Sequence, residues 1–213
     1  MKKVLIFSTA YLPFVGGAEL AIKEITDRLP AISFTLITAR FKKALPAHER
    51  IGNVDVYRIG YGYRCDKWLL PFYAPRLAKH LERKTAFDVI WSVMASQASV
   101  GAAWFKKAYP DKKLVLTLQE GDEERHLKRY TVGSSVLYHL LIRPWHLLVF
   151  KRADAITAIS DHLAARARAN APQTPVVVIP NGVALGKFQA PDSDLQTNPK
   201  SQIPDKDLKK TLG

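Results

Sequence analysis

Short apolar runs rich in β-branched residues alternate with helix-length segments from the N-terminus to Ile179. That alternation predicts βαβ units and a doubly wound α/β fold, with a mainly parallel sheet flanked by helices. Val4–Ser8 reads as the first strand, apolar on both faces as a central parallel strand must be. Ala18, Ala21, Ile22, Ile25 and Leu29 then recur at helical spacing, and Pro30 stops the helix. Phe34–Thr38 and Val54–Ile59 are the next two strands, with Arg40–Arg50 between them as a basic loop containing Pro46. Asp66–Arg83 reads as a helix with Pro71 and Pro75 near its start. Asp88–Val93, Leu114–Leu118, Ala155–Ile159 and Val176–Ile179 are the remaining strands. Helices are expected through Ala98, Ala102 and Phe105, over Glu123–Lys151 with breaks near Gly133 and Pro144, and over Asp161–Ala169.

After Phe188 the chain turns to Pro, Asp, Ser, Gln and Lys without apolar periodicity. The expected organisation is a domain over residues 1–188 followed by a linker or tail over 189–213. The single cysteine, Cys65, allows no internal disulfide and favours a reducing, cytoplasmic setting. No apolar run reaches the roughly 18 residues of a spanning helix. Met1-Lys2-Lys3 and Val4–Phe7 mimic a secretory signal. The apolar run is short, however, and Tyr11-Leu12-Pro13-Phe14 stands where a small-residue cleavage site would be, so a buried strand explains these residues better.

The charge is lopsided: 32 basic against 19 acidic residues, a net of +13. Such a surface favours anionic partners. Two stretches join bases to large apolar residues, Lys67–Tyr73 continuing through Arg76, Lys79, His80, Arg83 and Lys84, and Arg125–Arg152. Both suit an anionic membrane surface on the inner face. In the second, Leu137, Leu140, Leu141, Trp145 and Leu148 read as core. No nucleic-acid module is recognisable, so nucleic acid is not an expected partner. The six histidines do not combine with Cys or Asp at ligand spacings, and no metal site is expected.

Gly16-Gly17-Ala18-Glu19 lies between the first strand and the first helix. In an open α/β sheet, ligands bind beyond the C-terminal strand ends, where loops enter helices. Glycines there allow close backbone approach, and the helix N-terminus suits a diphosphate. Gly16, Gly17 and Glu19 are therefore candidate donor-phosphate or cleft residues, with helix capping an equal reading of Glu19. The sequence has neither the dinucleotide fingerprint G-x-G-x-x-G nor a phosphate-loop G-x-x-x-x-G-K-[ST]. Gln119, Glu120, Gly121 and Asp122 cut off the Leu114–Leu118 strand. Ser160 is placed to cap a helix. Asn181-Gly182 reads as a turn at the domain's exit, able to take positive φ.

Together these segments resemble the N-terminal domain of retaining glycosyltransferases of family 4, which have the two-domain GT-B fold. The resemblance rests on three ordered motifs: Val4–Phe7 leading to Gly16-Gly17-Ala18-Glu19; Ala153–Ser160; and Val178-Ile179-Pro180-Asn181-Gly182-Val183. It implies a nucleotide-diphosphate sugar as donor substrate, no cofactor, metal independence, and a sugar or lipid-linked acceptor held by this domain. Glycan, lipopolysaccharide or glycolipid synthesis is the implied setting. In that family a C-terminal domain holds most of the donor, usually through a pair of glutamates at fixed spacing, which this chain lacks. The resemblance therefore implies a chain incomplete as an enzyme, with its C-terminal domain supplied in cis or in trans. The family often has a histidine near the reacting sugar just after the Leu114–Leu118 strand, so the resemblance makes Gln119, Glu120 and Asp122 the acceptor-cleft candidates. With Gln119 in the histidine's place, no catalytic residue is assigned. The family's front-side displacement does not require a base from this domain. The alternative is a non-catalytic membrane-docking or subunit-recruiting module of the same fold. A nicotinamide oxidoreductase is disfavoured by the missing fingerprint.

Overall fold

The computed structural model describes residues 1–119 and 143–182. The chain divides into two units, Met1–Asn181 and Gly182–Gly213, and the first is described here. Its strands are β1 (Lys2–Phe7), β2 (Ile32–Ala39), β3 (His48–Ile51), β4 (Val54–Ile59), β5 (Val89–Val93), β6 (Lys113–Leu118), β7 (Ala155–Ala158) and β8 (Val176–Val178). Among the described residues the α-helices are α1 (Gly17–Asp27), α2 (Leu70–Thr85), α3 (Gln97–Ala108), α4 (Arg143–Arg152) and α5 (Asp161–Asn170). A 3-10 helix, Arg64–Leu69, runs directly into α2.

The strands form one sheet in the order β3-β4-β2-β1-β5-β6-β7-β8, parallel throughout except for the β3–β4 pair. The α/β doubly wound class expected from the alternation is therefore the observed fold. The parity of the strands sorts the core. Leu5, Phe7, Ile37, Ile90 and Leu114 face α2 and α3, where Ala74, Ala78, Ala98 and Ala102 let the helices sit close. Ile6, Leu36 and Val56 face the other way, against Ala18 and Ile22 of α1. Leu116, Leu118, Ile156 and Ala158 pack with Phe150 of α4 and Leu163 and Ala167 of α5. Helix α3 carries Gly101 where α2 crosses it: a Cβ there would stand 3.0 Å from the Leu70 carbonyl and 3.2 Å from Ala74 Cβ.

One expectation is corrected. Residues 48–51 are not loop but an antiparallel edge strand, paired from His48↔Tyr57 to Ile51↔Val54. Its cross-strand partners explain why: His48 stacks on Tyr57 at 4.2 Å, Arg50 meets Asp55 at 3.3 Å, and Glu49 pairs with Arg58. Gly52, at φ +56°, makes the two-residue turn that joins the strands. Ser160 is the N-cap of α5, its Oγ accepting from the Leu163 N–H at 3.4 Å. The expected helix Asp66–Arg83 is divided between the 3-10 helix and α2. Of the region expected to be helical over 123–151, the part before Arg143 lies outside the described residues.

Candidate functional site: the crevice at the C-terminal edge of the sheet

The chain leaves β1 toward β2 on one side and enters β5 on the other, so strand order reverses between β1 and β5. Crossovers then diverge onto opposite faces, and a crevice opens beyond the strand ends. Its floor is closed by hydroxyls. Thr9, just after β1, donates through Oγ1 to Ser96 Oγ at 2.8 Å, and Ser96 is the N-cap of α3. Thr38 Oγ1 donates to the Thr9 carbonyl at 3.0 Å, tying β2 to the same point. Met94 turns out of β5 with φ +66°, and its carbonyl accepts from Ser99 Oγ, whose oxygen accepts in turn from Ser92 Oγ at 2.8 Å.

The glycine loop leads from β1 into α1. Gly16 is the N-cap of α1 and no side chain caps that helix end, leaving its first N–H groups available to a ligand. The two glycines are not equivalent. A Cβ at Gly16 would come within 2.5 Å of Glu19 Oε2, so the carboxylate of Glu19 folds back over that position. A Cβ at Gly17 would meet nothing within 4 Å, so this is where α1 is open to an approaching group.

The loop that carries Gly16 is pinned from below. Arg58 of β4 has a side chain only 1% exposed. It donates to the Leu12 carbonyl at 2.7 Å and to the Pro46 carbonyl at 3.3 Å, and it pairs with Glu49. Tyr11, beside Leu12, is buried among Ile22, Phe34 and Leu36. Burial raises the pKa of its hydroxyl, with the Thr26 side chain opposing and Asp27 adding to the rise. Next along the edge, the buried carboxylate of Asp66 accepts from the N–H groups of Gly62 and Tyr63 at 2.7 and 2.9 Å, shaping the loop after β4. Gly62 has φ +94°, and a Cβ there would strike the Lys43 backbone at 2.3 Å.

On the far side of the switch point, Gln119 and Asn181 meet although 62 positions apart. Asn181 Nδ2 donates to Gln119 Oε1 at 2.8 Å, and Gln119 Nε2 donates to Asn181 Oδ1 at 3.2 Å. The two residues had been singled out from separate motifs; parallel pairing of β6, β7 and β8 brings them to one rim. No positive φ is found at Asn181 or Gly182, and the Ile179 N–H is held by the Ala158 carbonyl at 2.8 Å. The residues that would complete the expected turn lie outside the described residues. Glu120 and Asp122 lie outside the described residues.

Thr9, Ser96, Arg58 and Asp66 were not found by motif reading. Arg58 did leave a signal: Val54, Val56 and Arg58 share one face of β4, so a base continues an apolar stripe. A charge in that position needs internal partners.

An open, mainly parallel sheet with helices on both faces, its strand order reversing between β1 and β5, defines an α/β protein of the Rossmann-like class. The Glycosyltransferase Family 4 model matches residues 15–187, and the chain belongs to that family. No curated protein sequence matches significantly. Among solved structures, sucrose-phosphate synthase from Thermosynechococcus elongatus is similar in fold, with a TM-score of 0.63 and 15% identity, covering 87% of this chain and 49% of that one. A shorter chain of the same synthase gives a TM-score of 0.58 at 12% identity, covering 88% of this chain and 93% of that one. The chain thus spans about half the length of the full synthase chain it matches. It is a glycosyltransferase domain with the Rossmann-like fold of a GT-B half.

Proposed function

We propose that this domain is the acceptor side of a nucleotide-sugar-dependent retaining glycosyltransferase, with the donor held mainly by a second domain in cis or in trans. The observation that carries the reading is the uncapped N-terminus of α1, open at Gly17, on the helix that follows β1, where the strand order reverses. Its N–H groups and positive dipole end suit the donor's diphosphate. Glu19, folded over Gly16, directs that anion to the Gly17 side, because two negative groups repel at short range. Gln119 and Asn181 each present a carbonyl and an amide N–H₂, so together they can grip the vicinal hydroxyls of a sugar or lipid-linked acceptor once their mutual bonds open. Neither amide can remove a proton near neutral pH. The acceptor proton is therefore assigned to the leaving phosphate: the acceptor oxygen bonds to the anomeric carbon as the carbon–phosphate-oxygen bond breaks, and the freed phosphate oxygen takes the proton.

The test supplies radiolabelled nucleotide sugars and lipid extract to the chain alone and to its fusion with a family 4 donor domain. Transfer by the fusion only is expected, and Gly17→Val in the fusion should reduce it at least about tenfold, because a side chain there crowds the diphosphate. Transfer by the isolated chain would overturn the need for a separate donor domain. No transfer by any fusion that still binds nucleotide sugar would overturn the transferase reading.

A further inference from the structure

The outer surface of α2 and α3 differs from every other described helical surface. Helix α2 exposes Phe72 (44%), Tyr73 (52%), Arg76, Lys79, His80, Arg83 and Lys84. Beside it α3 exposes Trp104 (36%) and Lys107. The only acid on either helix is Glu82, which is occupied at the inner end by Lys112 Nζ at 2.7 Å and by the Phe87 N–H. The cations and rings are interleaved on one groove, lined by Phe72, Pro75, Arg76, Lys79, Trp104 and Lys107. Among the described residues Arg76 bonds only its own helix, to the Phe72 carbonyl, and lies 5.8 Å from the Tyr73 ring. Small residues make the platform flat. Ala74, Ala78, Ala98 and Gly101 bring the two helices into close contact, so side chains of both point outward together.

We propose that this α2–α3 face docks on an anionic lipid bilayer, with Arg76, Lys79 and Lys107 among the headgroups and Phe72, Tyr73 and Trp104 at the acyl boundary. Charge complementarity selects an anionic surface, since among the described residues Glu82 is the only acid on either helix and Lys112 occupies it. The rings select a bilayer over a nucleic acid. Base stacking needs a free ring face, but Trp104 is stacked on Trp145 at 5.2 Å and meets Phe72 edge-on at 5.9 Å. The cluster therefore offers ring edges and apolar bulk, which suit the interfacial layer where aromatic side chains concentrate. The proposal stands apart from the transferase reading, because it needs no nucleotide sugar and no donor domain.

The experiment is co-sedimentation of the full chain with equimolar phosphatidylglycerol–phosphatidylcholine vesicles and with phosphatidylcholine vesicles, read alongside tryptophan emission. Binding to the anionic vesicles with a blue shift is expected, with little binding to the zwitterionic ones. The triple variant Arg76→Glu/Lys79→Glu/Lys107→Glu should lower partitioning by more than about a hundredfold, at several-fold per base removed. A control with the same charge change elsewhere, Lys151→Glu/Arg152→Glu/Arg168→Glu, should lose far less, and circular dichroism shows whether both fold. Because the triple variant changes only exposed side chains, the double variant Phe72→Ala/Trp104→Ala provides a second route. It should keep part of the binding and lose the blue shift. Equal losses in the two triple variants would overturn the proposal, as would equal binding to both vesicle types. Binding of single-stranded nucleic acid through the same three bases, without vesicle binding, would also overturn it.

Discussion

The two edges of the sheet treat their polar groups in opposite ways. At the N-terminal edge several charged and amide groups are committed to other parts of the domain. The Lys3 N–H donates to Asp88 at 2.7 Å and Lys3 Nζ to the Thr85 carbonyl at 2.7 Å. Asp154 accepts from the Leu114 N–H at 2.7 Å and pairs with Lys106 at 2.9 Å. Asn53 Nδ2 reaches the carbonyls of Leu29 and Ile32 at 3.2 and 3.0 Å, closing the end of α1. At the C-terminal edge α1 has no side-chain cap, and among the described residues Gln119 and Asn181 bond each other at an exposed position. The lesson is that one edge is organised for cohesion, while the other, under the proposed function, keeps donors and acceptors for a ligand. The exceptions at this edge are buried ties that hold its loops in place: Arg58, Asp66 and the hydroxyl bonds of Thr9, Thr38, Ser92 and Ser99.

Arg58→Met tests the largest of these ties. It would leave the Leu12 and Pro46 carbonyls without their donor and Glu49 without its base, at a cost of about 3 kcal/mol in denaturant unfolding. If Arg58 serves the crevice edge as described, hydrogen exchange at residues 9–16 should rise more than at the N-terminal edge. Uniform loosening would break the comparison.

Asp154→Asn probes the cohesive edge and should cost about 1–2 kcal/mol at neutral pH. Burial alone would raise the pKa of Asp154. The Leu114 N–H bond and the Lys106 and Lys113 ammonium groups outweigh burial and hold it below the ordinary carboxylate value. A depressed folded-state pKa means stability that is present above the unfolded value and lost as pH falls through the folded one. Wild-type stability should therefore fall through that acid range more steeply than that of the Asn variant, and parallel pH profiles would show that Asp154 contributes little.

Gln119→Ala sharpens the contrast from the other side. The amide pair is exposed, so stability should change by less than about 0.5 kcal/mol. Acceptor binding by a fusion competent for transfer should weaken by roughly tenfold, the loss of one or two neutral hydrogen bonds. A large loss of stability with unchanged acceptor binding would make Gln119 a structural residue like those of the opposite edge.

Much of this was legible from local pattern. The alternation of β-branched runs and helical periods located seven of the eight strands because buried parallel strands must be apolar on both faces. The missed strand, β3, has no such pattern, since an edge strand of alternating charge is held by its partners on β4. Gly16, Gly17, Gln119 and Asn181 could be named as candidates from motif position alone. Their arrangement could not, since the Gln119–Asn181 contact needs β7 in register between two distant segments.

The sequence by itself determined the fold class, the strand periods, the cap at Ser160 and the glycine loop, all of which follow from neighbours a few residues apart. Tertiary structure alone decided that Glu19 covers Gly16 while Gly17 stays open, and that Arg58 holds Leu12 and Pro46. It also gathered Phe72, Arg76, Lys79, Trp104 and Lys107 onto one face. The physical reason is the same in each case: periodicity fixes which way a side chain leaves its own element, and only packing fixes which other element it meets.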